Sequence, residues 1–102
     1  MTADQKTKCR QIYEHYGVLA QRRQLVEECA ELIQAASKFT RSAENYSSEA
    51  YRQAQSDFLS EAADVAIMLE QHILCCFGEA AINNEINMKL GRQLERIKEE
   101  IK

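Results

Sequence analysis

Apolar positions recur at steps of three and four residues through most of the chain. Leu25, Cys29, Leu32, Ala36 and Phe39 advance by 4, 3, 4 and 3, and Val26, Ala30 and Ile33 widen that stripe on one side. Ile82, Ile86, Leu90, Leu94, Ile97 and Ile101 advance by 4, 4, 4, 3 and 4. This is the period of an amphipathic α-helix, not the alternation of a strand. The pattern predicts four helices: about Asp4 to Tyr16, about Val18 to Phe39 or Thr40, Ser47 or Ser48 to Phe77, and about Glu79 to the C-terminus. Gly17 and Gly78 stand at two of the breaks, where a helix end favours glycine. The polar stretch Arg41-Ser-Ala-Glu-Asn-Tyr-Ser-Ser48 makes the third break.

Composition narrows the fold. With 102 residues, three glycines and no proline, the chain lacks the turn chemistry that a β-sandwich or barrel needs every ~8–12 residues. The expected architecture is a single all-α domain over 1–102, a four-helix bundle-type protomer with one short and three long helices. The third helix carries Ala62-Ala-Asp64-Val-Ala-Ile-Met-Leu69, apolar nearly all round. Such a helix must be covered on every side, and three partners from one short chain can hardly do that. A homodimer of packed bundles is therefore expected.

Charge excludes some partners. The net charge of −3, from 13 basic and 16 acidic residues, argues against a protein that coats a nucleic-acid polymer. The apolar runs, such as Val65–Leu69, are too short to span a bilayer, and the polar first residues do not resemble a secretory signal. The expectation is a cytoplasmic protein with no membrane partner. Its four cysteines, Cys9, Cys29, Cys75 and Cys76, would be reduced thiols. His72-x-x-Cys75-Cys76 falls short of the four placed ligands of a closed zinc site, and buried cysteine commonly serves as a small hydrophobe.

The informative feature is an acid inside the apolar run. Asp64 lies three residues after Glu61, ~60° apart on a helix and so on one face. A buried carboxylate is protonated, paired with a cation or bound to a metal. The second helix carries a matching pair, Glu28 and Glu31, beside its apolar stripe, with Glu27 turned further toward solvent. If the two helices pack together, four carboxylates converge. Oxygen donors of this kind suit a hard ion, Mg²⁺ or Mn²⁺. A di-iron bundle would want Glu-x-x-His pairs, and no Glu here has a His three residues on. On the fourth helix Lys89, Arg92 and Arg96 fall in one ~60° arc beside the apolar stripe. Lys38 and Arg41 end the second helix. Basic groups near bound metal are what a polyphosphate requires.

These residues resemble the all-α nucleoside triphosphate pyrophosphohydrolases, the MazG-like family, whose signature is E-E-x-x-E followed at a distance by E-x-x-D. Here the motifs read Glu27-Glu28-Cys-Ala-Glu31 and Glu61-Ala-Ala-Asp64. They are flanked by Tyr16-Gly17, Gln24-Leu25 and Asn87-x-Lys89-x-x-Arg92. The likeness extends over about residues 12–97, with a spacer between Glu31 and Glu61 at the long end for the family.

The resemblance implies Mg²⁺-dependent hydrolysis of a nucleoside triphosphate between the α- and β-phosphates, giving the monophosphate and pyrophosphate through metal-activated water. It implies Glu28, Glu31, Glu61 and Asp64 as metal ligands and Glu27 as a support or water-positioning residue. Lys89 and Arg92 would hold phosphate oxygens, and the assembly would be a homodimer or a homotetramer built from dimers. Lys38, Arg96 and Gln24 join the substrate-binding set, and Gln21, Asn45, Tyr46 and Asn84 are further candidates for the base. House-cleaning of damaged nucleotides is one role such an activity can serve. Two alternatives stand beside this reading: a phosphoribosyl-ATP pyrophosphohydrolase using the same acids, and a non-catalytic helical dimerisation module.

Overall fold

The computed structural model describes residues 1–101. Helix α1 spans Ala3–Tyr16, α2 Val18–Ser42, α3 Glu49–His72 and α4 Glu79–Ile101, and no strand occurs among the described residues. The protein is all-α.

Local chemistry accounts for the ends. Thr2 caps α1 reciprocally: its hydroxyl accepts from the Gln5 N–H at 3.1 Å, while Gln5 Oε1 accepts from the Thr2 N–H at 2.8 Å. This cap starts α1 one residue earlier than the hydrophobic pattern suggested. Gly17, at φ 90° and ψ 163°, ends α1 and begins α2 in a backbone region that residues with a Cβ rarely enter. α2 continues to Ser42, two residues past the expected stop, and closes through a 3₁₀ turn at Ala43–Asn45. Ser48 caps α3, its hydroxyl accepting from the Tyr51 N–H at 3.0 Å.

α2 and α3 form an antiparallel hairpin. Partners across their seam step in opposite directions, from Gln21 with Gln71, through Glu31 with Glu61, to Phe39 with Tyr51 and Phe58. α1 packs against both helices, mainly α3. Cys9, Ala54, Val65 and Met68 are buried.

The third helix ends differently from expectation. Ile73–Phe77 form a π-helical turn after His72. Gly78, at φ 88°, then donates its N–H to the Ile73 carbonyl at 2.8 Å. From there the chain turns through 115° into α4. The fourth helix therefore does not complete a bundle within one chain. Its first turns rest on the π-helical segment and on Lys6, which pairs with Glu79 at 3.0 Å. Every described residue beyond Ile82 is exposed.

The radius of gyration, 17.1 Å, exceeds the ~13 Å of a compact domain this size. Leu94 is 60% exposed and Ile101 79%. Ile67 and Leu69 of the apolar run are also exposed, so one chain leaves part of α3 uncovered. No single helix among the described residues is long and apolar enough to cross a membrane.

Candidate metal centre

On α2, Gln24, Glu28, Glu31 and Lys38 fall on one helical face; on α3, Asp57, Glu61 and Asp64 do the same. The antiparallel seam lays these faces side by side. Glu28, Glu31 and Glu61 each offer a carboxylate oxygen, all within 4.8 Å of one another. Like charges this close repel, by about 1 kcal/mol per pair in water and more where solvent is partly excluded.

Two of these acids keep an unsatisfied oxygen. Glu28 Oε2 and Glu61 Oε2 are buried and have no hydrogen-bond partner among the described residues. The other oxygen of Glu28, Oε1, accepts from Gln24 Nε2 at 2.8 Å. A buried orphan acceptor is destabilising unless something positive meets it. An all-oxygen donor set with two such orphans fits a hard divalent cation. It is the only group of three His, Cys, Asp or Glu side chains among the described residues with that spacing.

The remaining expected residues are distributed unevenly. Asp64 is half-buried one turn along α3 and lies outside the group of three. Glu27 is exposed and also lies outside it. Lys38 lines a cavity of ≈ 270 Å³ together with Glu31 and Glu61. Asp57, Gln34 and Ser60 line it too. Asp57 stands one turn before Glu61, so its helical spacing was the available signal. Lys89, Arg92 and Arg96 line a separate recess along α4 with Gln93, because the turn at Gly78 carries α4 away from the hairpin.

The His72 and cysteine region lies outside the acid cluster. His72 is buried, with Nδ1 2.7 Å from the Met68 carbonyl. A carbonyl only accepts, so Nδ1 carries the hydrogen, and Nε2 is buried without a partner. Burial pushes the Cys9 thiol up, Glu70 and Cys75 add to the rise, and the N-terminal amine opposes it. Burial and then Glu14 raise the Cys75 thiol, against Arg10. Raised values describe quiet thiols, not activated nucleophiles.

The chain matches no protein-family model, no curated protein and no solved structure at a significant level.

Proposed function

We propose that this protein is a Mg²⁺-dependent nucleoside triphosphate pyrophosphohydrolase of the MazG-like type. The observation that carries the reading is the trio Glu28, Glu31 and Glu61, with buried, unpartnered Oε2 atoms on Glu28 and Glu61. These residues would hold Mg²⁺, with Mn²⁺ as a substitute, and Asp64 would add a ligand from the next turn of α3. When bound, the ion supplies Lewis acidity toward phosphate oxygens and makes a water more acidic.

The protein's own groups do the rest. Gln24 holds Glu28 by one oxygen and so fixes the direction of the other, as outer partners of metal ligands do. Lys38 brings a cation into the cavity beside Glu31 and Glu61, where a phosphate chain needs its charge balanced. Glu27, exposed next to Glu28, is left with a supporting role.

Lys89, Arg92 and Arg96 lie apart from the acids within one chain. In this reading they reach phosphate in an assembly of two or four copies. The exposed apolar stripe of α4 supports such an assembly, since a helix with this stripe is normally buried.

The test is a panel of ribo- and deoxynucleoside triphosphates with Mg²⁺, scored for monophosphate and pyrophosphate. Release of both in equal amounts is expected. No hydrolysis of any member, or release of nucleoside diphosphate and orthophosphate, would overturn the reading.

A further inference from the structure

A second cavity, of ≈ 400 Å³, opens at the α1–α2 junction and is lined by Tyr16, Ala20, Gln21 and Gln24. Its size lies within the range of small-ligand sites. It is joined to the metal centre directly, because Gln24 lines the cavity and bonds Glu28. Resting on the pyrophosphohydrolase reading above, we infer that this cavity takes the nucleobase and selects bases that carry an exocyclic amino group.

The selection follows from how two amides are held. Glu28 can only accept, so Gln24 must turn its nitrogen toward it. Among the described residues its carbonyl oxygen, Oε1, meets no hydrogen-bond donor. Gln21 is held in the same sense: its Nε2 donates to Gln71 Oε1 at 2.8 Å, and among the described residues its own Oε1 meets no donor either. Gln71, fully buried, turns its own Nε2 to Met68 Sδ at 3.8 Å, a sulfur that can only accept, so it faces Gln21 with oxygen and Gln21 answers with nitrogen. Both glutamines line the cavity, and with each nitrogen turned to a protein partner the carbonyl oxygen is the acceptor each has left to offer a ligand.

Two acceptors match the amino group of cytosine or adenine. Set against the carbonyl of uracil or hypoxanthine, they put oxygen on oxygen. Tyr16, 63% exposed at the end of α1, supplies an aromatic face for stacking, which every base can use. Stacking therefore contributes affinity, and the glutamines contribute the choice.

The experiment uses the full-length chain with Mg²⁺ and matched substrate pairs that differ only in amino against carbonyl: CTP against UTP, and ATP against ITP. The expected kcat/KM favours the amino member of at least one pair by about ten-fold or more, as for a site built to hydrogen-bond its substrate. In Gln24→Met that ratio should fall toward one, even though rates for all substrates drop because Glu28 loses its anchor. In Tyr16→Ala, KM should rise about ten-fold for every substrate with the ratio kept, and Tyr16→Phe should restore it. Hydrolysis with no amino preference, or a preference that survives in Gln24→Met, overturns this inference and leaves the pyrophosphohydrolase reading standing. No hydrolysis of any of the four overturns that reading, and the inference with it.

Discussion

Gln24 Nε2 donates to Glu28 Oε1 at 2.8 Å, while Glu28 Oε2 is buried with no hydrogen-bond partner among the described residues. One oxygen is anchored, and under the proposed function the other would meet the cation. That asymmetry distinguishes Glu28 from an acid on a solvated helix face.

Removing charge from the trio should have opposite effects on function and on metal-free stability. Glu61→Gln keeps the shape and removes one of three mutually repelling carboxylates. In EDTA its thermal midpoint should equal or exceed the parent's, by up to about 1 kcal/mol of added stability. Millimolar Mg²⁺ or Mn²⁺ should raise the parent's midpoint and leave the variant's unmoved. Differential scanning fluorimetry with and without metal reads both effects, and circular dichroism checks that the helices persist. Glu31→Ala and Asp64→Ala should likewise lose turnover while remaining helical.

The buried Gln21–Gln71 bond should be worth more broken than replaced. Gln71→Ala strands the Gln21 amide in the seam and should destabilise by about 1–3 kcal/mol. Gln21→Leu combined with Gln71→Leu removes both partners and should recover part of that loss. Urea melts of Gln21→Leu, Gln71→Leu and the double variant give the coupling.

Gly78→Ala tests the corner before α4. Nothing lies within 4 Å of the position an added Cβ would take, so any loss comes from backbone strain at φ 88° and not from a clash. A loss of about 1–3 kcal/mol is expected, together with a change in the mass of the assembly, since this corner sets the direction of α4. Light scattering reads the mass. Leu90→Lys combined with Leu94→Lys should leave a single chain if the α4 stripe is the contact between copies.

The raised thiols give a pH dependence whose sign is fixed. A folded thiol with a raised pKa holds its proton more tightly than the unfolded one. The resulting stability is complete below about pH 8.5 and is lost as pH rises through the folded value. The parent's thermal midpoint should therefore fall more steeply above that pH than that of Cys75→Ser. Comparing the two cancels the lysines and tyrosines that titrate in the same range.

Much of this was legible in the sequence, for physical reasons that differ by element. The 3.6-residue period marked α2 and α4 because each carries one apolar stripe, half-buried along α2 and exposed along most of α4 in a single chain. Gly17 and Gly78 marked their corners because only glycine is at ease at those φ values. The i, i+3 acids placed Glu28, Glu31 and Glu61 on facing sides once α2 and α3 paired. Periodicity does not encode the angle at a corner, so the departure of α4, and with it Lys89, Arg92 and Arg96, was not legible. The π-helical turn at Ile73–Phe77 was equally silent, since an apolar run reads alike in either helix. Asp57 was less conspicuous because it stands four residues before Glu61, outside the i, i+3 pattern of the other acids, and ahead of the apolar run instead of inside it.

The central claim is that the trio serves attack at the α-phosphorus. Hydrolysis of a nucleoside triphosphate in ¹⁸O-water with Mg²⁺, followed by mass spectrometry of the products, tests it most directly. The expected result is ¹⁸O in the nucleoside monophosphate, unlabelled pyrophosphate in equal amount, and neither product from Glu61→Gln. Label in pyrophosphate or orthophosphate, or full activity in Glu61→Gln, would contradict it.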